Sequence, residues 1–184
     1  LVMMMQVSGR LADAVPPHLP IIVGCGTFVI AALALATIDV NTAFFSLALL
    51  VMCTRGSMSL ISPNMGKAAL SAVPSEKMAQ GAGTFNFFRQ LGGAFGVNMT
   101  AVTIEMRTAY HADFLTATQV SDKGPTAEML DKVRELLNAA GVPSPTDGAV
   151  ALDFLGKVLY AQANTFAFHD SFRQIALIFG LTLI

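Results

Sequence analysis

The sequence predicts an all-α membrane protein, and three observations carry that prediction. Of the 184 residues, 54% are apolar and 12% charged, against about 25% charged in an ordinary soluble domain. No Asp, Glu, Lys or Arg lies between Asp13 and Asp39, a run of 25 residues, where about 20 apolar residues already cross a hydrocarbon core of ~30 Å. Further long apolar runs follow, separated by short polar or proline-bearing connections.

The elements follow in chain order. Residues 1 to 7, LVMMMQV, read as the end of a helix that runs out at Ser8-Gly9, and they have neither the basic start nor the cleavage site of a signal peptide. The connection GRLADAVPPHLP contains Pro16, Pro17 and Pro20, which lack the amide donors a continuing helix requires. A span over 21–38 ends at the polar IDVNT. The next, over 42–62, is interrupted only by Arg55 and leads into NMGKAALSAVPSEKMAQ with Lys67, Glu76 and Lys77. A third, over 81–104, is interrupted only by Arg89. Residues 1–104 are thus expected to form a transmembrane segment.

From Glu105 the composition turns aqueous. Between Glu105 and Asp170 there are nine Asp and Glu against five Lys and Arg, so 105–168 is expected to be a long extracytoplasmic loop. Within it, Met129, Leu130, Val133, Leu136 and Leu137 recur at helical spacing and predict an amphipathic helix over 126–140, stopped at Gly141. A further helical pattern starts near Ala149 and runs through Leu152, Leu155, Leu159 and Phe166 into the last span, 169–184. Apolar runs cut at both ends lead to the expectation that the chain is a piece of a longer membrane protein.

Short loops rich in Lys and Arg stay in the cytoplasm. Arg10 marks the first connection and Lys67 and Lys77 the third, while the second has no Lys or Arg. The first and third connections are expected inside and the acidic loop outside, as alternating spans demand.

Several function classes fall away. Net charge is −1, and the 11 Lys and Arg form no basic run, so no nucleic-acid partner is expected. Cys25 and Cys53 lie in apolar runs without metal-ligand spacing and read as small core residues. His18, His111 and His169 are far apart, no GxSxG, HExxH or P-loop pattern occurs, and the GAG at 81 to 83 lacks the strand a dinucleotide site needs. Neither an enzyme nor a cofactor or metal is expected.

Binding chemistry is another matter. A guanidinium at the centre of a span costs on the order of 2.5 kcal/mol or more and must face protein, a water-filled cavity or the headgroups. That singles out Arg55, and Arg89 with its polar neighbours Asn86 and Gln90. Gly92 and Gly96, with Gly93 between them, form a GxxxG face on which another helix can approach closely. Met52, Arg55, Ser59 and Ser62 share one stripe, which suits either the wall of an adaptable cavity or a buried packing face.

Taken together, GRLAD at 9 to 13, RGSMSLISP at 55 to 63, NFFRQLGGAFG at 86 to 96, the long outer loop and AQANTFAFHDSF from Ala161 resemble the carboxy-terminal part of a fourteen-helix drug:proton antiporter of the EmrB/QacA type in the major facilitator superfamily. The resemblance implies a partial six-helix half-bundle of the major facilitator fold, multi-pass in the cell inner membrane. It implies export of hydrophobic or cationic drug-like compounds against protons, by rocking of two halves about a midplane site. It implies a conformational latch between Asp13 and Arg55, and a periplasmic adaptor as partner. The spans 21–38, 42–62 and 81–104 contain no Asp or Glu, so the acid that couples to protons is expected elsewhere. A metabolite or siderophore exporter of the same fold is one alternative, and a non-transporting membrane scaffold is the other.

Overall fold

The computed structural model describes residues 15–39, 41–118, 124–139, 141 and 144–183, which contain five α-helices and one short 3-10 turn and no strand. The helices are α1 (His18–Leu35), α2 (Phe44–Ser71), α3 (Met78–Ala117), α4 (Pro125–Ala139) and α5 (Ser144–Leu181). The expected helix end over residues 1–7, and Asp13 with it, lie outside the described residues. Two described helices, α1 and α2, are long and apolar enough to cross a membrane.

The observed bounds differ from the expected ones for local reasons. α1 starts three residues before Ile21, because Pro20 falls in its first turn, where a missing N–H leaves no bond unmade. It stops at Leu35 rather than Ile38, as Thr37 N–H and the Thr37 hydroxyl both reach the Ala34 carbonyl and tighten the last turn. α2 passes straight through Pro63 and ends at Ser71. Proline costs a helix one donor but does not end a membrane helix whose freed groups find other partners. α3 has 40 residues, about 60 Å at 1.5 Å per residue, twice the hydrocarbon thickness. It runs past Ile104 because no Gly or Pro follows until Gly124. α5 is likewise one helix of 38 residues through the point where the loop was expected to meet the last span.

Two compact units divide the chain. One comprises the described residues up to Ala101 with those from His169 onward, the other Val102–Phe168.

In the first unit α1 and α2 form a hairpin. Its turn is closed reciprocally: Thr42 N–H donates to the Asp39 carbonyl at 2.9 Å, and Asp39 N–H donates to the Thr42 hydroxyl at 2.9 Å. The two helices touch at Gly24, where a Cβ would lie 2.7 Å from Ile61 Cγ1 and 3.1 Å from the Ser57 carbonyl oxygen. Only glycine allows that approach. One turn on, the Thr27 and Ser57 hydroxyls lie 2.9 Å apart, one donating to the other. The end of α5 joins this unit through Phe28 and Phe179, whose rings are tilted by 35° with centroids 4.3 Å apart. His169 Nε2 also lies 2.6 Å from the Ile38 carbonyl; since a carbonyl only accepts, that nitrogen carries the proton.

The second unit packs α4 with residues 102–117 of α3 and 144–168 of α5. Leu130 on α4 and Ala151, Ala163 and Ala167 on α5 are buried, and Thr108 Oγ1 donates to Asn164 Oδ1 at 3.3 Å. Glycines at φ +86°, Gly124 and Gly141, bracket α4, a backbone shape that side chains with a Cβ rarely adopt. α4 turns Glu128, Asp131, Lys132 and Glu135 outward, and Leu136, placed by its spacing on the apolar stripe, is 71% exposed.

Candidate functional site

α2 presents two unlike faces. Ser57, Ile61 and Asn64 are buried, with the first two against α1. Met52, Arg55, Ser59 and Ser62 recur at the same helical spacing but half a turn round the axis, so the stripe points away from α1. Of the two readings open for it, packing against α1 is therefore not its role. Arg55 stands about 17 Å of helix from Phe44 and about 24 Å from Ser71, is exposed, and makes no hydrogen bond or ion pair among the described residues. Its guanidinium is a permanent cation with a planar fork of donors. Met52 beside it is 62% exposed, a thioether that adapts to irregular shapes. Ser59 donates to the Gly56 carbonyl of its own helix at 2.8 Å. The expected partner of Arg55, Asp13, lies outside the described residues.

On α3, Asn86, Arg89, Gly93 and Gly96 fall on one face. Arg89 donates from Nη2 to Asn86 Oδ1 at 3.3 Å, so these two predicted polar residues meet, and Gln90 is exposed beside them. A Cβ at Gly92, Gly93 or Gly96 would meet nothing within 4 Å. Among the described residues this face is open.

Reading the sequence missed Asn64. It is fully buried, donates from Nδ2 to the Leu60 carbonyl at 2.7 Å, and leaves Oδ1 without a partner. A buried acceptor left unpaired costs roughly 1–3 kcal/mol. The signal was present, because an Asn one residue after a proline in an apolar helix is unusual. Asn64 falls just past the expected end of the span at Ser62, in the stretch read as a connection. The Thr27 and Ser57 contact was missed too, since nothing in either helix alone marks which hydroxyl faces a neighbour.

With this geometry in hand, comparison with known proteins places the chain. The chain is similar to the colistin resistance protein EmrB of Acinetobacter baumannii, with 26% identity over 114 residues that cover 62% of this chain and 22% of that protein. The chain therefore spans under a quarter of the length of that relative. No solved structure gives a significant match. The family model described as Major Facilitator Superfamily matches residues 1–97, more than half of the chain and the part that holds α1, α2, Arg55 and the Arg89 face. With an all-helical architecture and two membrane-length helices among its described residues, this chain belongs to the Major Facilitator Superfamily of membrane transporters.

Proposed function

We propose that this chain is part of a proton-coupled multidrug efflux transporter of the cell inner membrane, which exports hydrophobic or cationic compounds by alternating access. The observation that carries this reading is the stripe of Met52, Arg55, Ser59 and Ser62, which is turned away from the helix packed behind it. A fixed cation and hydroxyls interleaved with a thioether suit a water-filled, shape-tolerant wall and are costly against lipid. The name of the Acinetobacter baumannii relative supports the drug side of the reading.

In this reading each site residue has a role. Arg55 pairs with Asp13 as a latch that holds one conformation and parts in the other. Asn86, Arg89 and Gln90 form a second polar patch, and Gly92, Gly93 and Gly96 receive a further helix. Met52, Ser59 and Ser62 line the pathway. Residues 67–77 face the cytoplasm and 106–165 face outward, where the amphipathic α4 docks a periplasmic adaptor through its mixed polar face. That face is not strongly cationic, which disfavours a membrane-surface role.

The test is transport by the full-length protein in inverted membrane vesicles. Uptake of a lipophilic cationic dye driven by an imposed pH gradient, and abolished by a protonophore, is the expected result. Uptake that ignores the gradient removes proton coupling, and no uptake of any of several unrelated dyes removes multidrug export. Orientation is read separately. With Cys25 and Cys53 replaced, a cysteine at Ala139 should react with an impermeant thiol reagent added outside, and one at Ser71 should not.

A further inference from the structure

We infer that α2 and α3 hold a site for an anionic phospholipid, with its phosphate at Lys77 and an acyl chain lying toward Phe88. A groove of about 430 Å³ opens where the 3-10 turn Ser75–Lys77 joins the two helices. Ala69 and Val73 wall it on one side, and Thr84, Phe85 and Phe88 on the other. Pockets that hold drug-sized ligands start at about 300 Å³.

Two contacts shape the groove. Gly81 lets the start of α3 close on the end of the connection, since a Cβ there would lie 3.0 Å from both Val73 methyl groups. Further along, Phe85 reaches across to α2, its ring 3.6 Å from where a Cβ on Gly66 would stand. From Lys77 to Phe88 the groove follows about 16 Å of helix. That is close to half of a hydrocarbon core of ~30 Å, the depth of one leaflet.

Polarity changes along this length. Lys77 is the one charged residue of the lining, is exposed, and its ammonium makes no hydrogen bond or ion pair among the described residues. Gln80, the next polar group in, is exposed and adds amide donors. Thr84 returns its hydroxyl to the Gln80 carbonyl at 3.0 Å, and beyond it the lining is aromatic. Glu76 is exposed but does not line the groove, so the charge facing the occupant is positive. A cation and an amide at one end and phenyl rings at the other fit a negative head on an apolar body.

Position in the bilayer selects among such bodies. α2 is long and apolar enough to span and ends at Ser71, which puts Lys77 at the level of the headgroups and Phe88 among the acyl chains. Phospholipid is the solvent there, and basic pockets between helices at that level bind anionic headgroups. A free phosphate would leave the aromatic end of the groove unused.

The site is independent of the exported compound, so its test does not use transport. The full-length protein is placed in phosphatidylcholine nanodiscs with phosphatidylglycerol that carries a diazirine in one acyl chain, and labelled peptides are mapped by mass spectrometry. Saturable labelling of peptides containing 69–73 and 84–88 is expected, displaced by unlabelled phosphatidylglycerol. A phosphatidylcholine probe with the same diazirine chain should label them far less. Lys77→Ala should weaken the labelling about fivefold, the contribution of one basic residue at an anionic surface, and Lys77→Arg should restore it. Ala69→Phe, which fills the groove with the charge intact, should weaken it as well. Lys67→Ala removes a cation of the same connection that does not line the groove and should leave labelling nearly unchanged. Equal labelling by the two probes, or no response to Ala69→Phe, overturns the site. Equal losses from Lys67→Ala and Lys77→Ala reduce it to diffuse surface attraction and overturn it too. Displacement by inorganic phosphate as readily as by lipid overturns the phospholipid and leaves an anion site.

Discussion

The α1–α2 hairpin and the first part of α3, residues 78–101, are built from the same vocabulary of small and hydroxyl residues set in an apolar helix, yet they end in opposite states. In the hairpin Gly24 admits Ile61 and the Ser57 backbone, Thr27 meets Ser57, and Asn64 is wholly buried. On α3 the glycines at 92, 93 and 96 face open space, Phe87, Phe88 and Phe95 are each more than 60% exposed, and Asn98 and Thr100 return their polar groups to carbonyls of their own helix. A helix face rich in glycine is thus an opportunity for close packing, and neighbours decide whether it is used. The outward stripe of α2 belongs with the α3 face in this respect, since Met52, Arg55 and Ser62 on it are exposed.

The comparison is broken or sharpened by substitutions on each side of it. The largest effect is expected on the open side, at Arg55. Arg55→Ala should reduce dye export at least about tenfold at near-normal membrane abundance, which corresponds to 1.4 kcal/mol or more of lost stabilisation in one state. Asp13→Asn should do the same, and the double substitution should be no worse than the worse single one. Additive losses would show that the two residues act independently.

The next effect belongs to the closed side. Gly24→Val forces a side chain into the Ile61 and Ser57 contact and should destabilise the purified transporter by about 1–3 kcal/mol, as overpacking does. Thermal unfolding in detergent reads this as a lower midpoint. Ile61→Ala placed with it should recover part of the loss, because the nearest atom to the new Cβ is Ile61 Cγ1 at 2.7 Å. A Gly24→Val protein as stable as the parent would mean that the helices do not approach this closely.

A smaller loss is expected from Ser57→Ala, which deletes the hydroxyl 2.9 Å from Thr27. Hydrogen bonds between membrane helices average about 0.6 kcal/mol. Thr27→Val should cost a similar amount, and the pair together little more than either alone.

The smallest change tests the open face by its sign. Gly93→Ala on an uncovered helix should gain up to about 1 kcal/mol from helix propensity alone. In the full-length protein the proposed packing of a further helix on Gly92, Gly93 and Gly96 predicts a loss instead. The same unfolding measurement decides between the two.

Much of the helix layout was legible in residues. Charge-free runs and short polar connections placed α1, α2 and the start of α3. The spacing of Met129, Leu130, Val133 and Leu137, with Gly141 after it, placed α4 within one residue at each end of what is described. Less legible were the places where a helix continues through a sequence that could have ended it. Pro63 reads as a stop because it removes a donor, yet α2 goes on for eight more residues to Ser71. Glu105 reads as an exit from the membrane, yet a change of polarity does not bend a backbone, and α3 continues to Ala117. Of the candidate site, the stripe on α2 and the Asn86 and Arg89 contact followed from spacing, because i to i+3 neighbours share a face whatever surrounds them.

The sequence by itself therefore determined the helical class, the order of the described helices, and the positions of the lone cations within them. Composition and period are properties of the chain that no neighbour alters. Only the tertiary structure decided which face of each helix is closed, that Gly24 rather than Gly93 sits in a contact, and that Asn64 is buried with an unpaired oxygen. Those outcomes depend on distances between residues tens of positions apart. Small and polar side chains look the same in one dimension whether they meet a helix or open space.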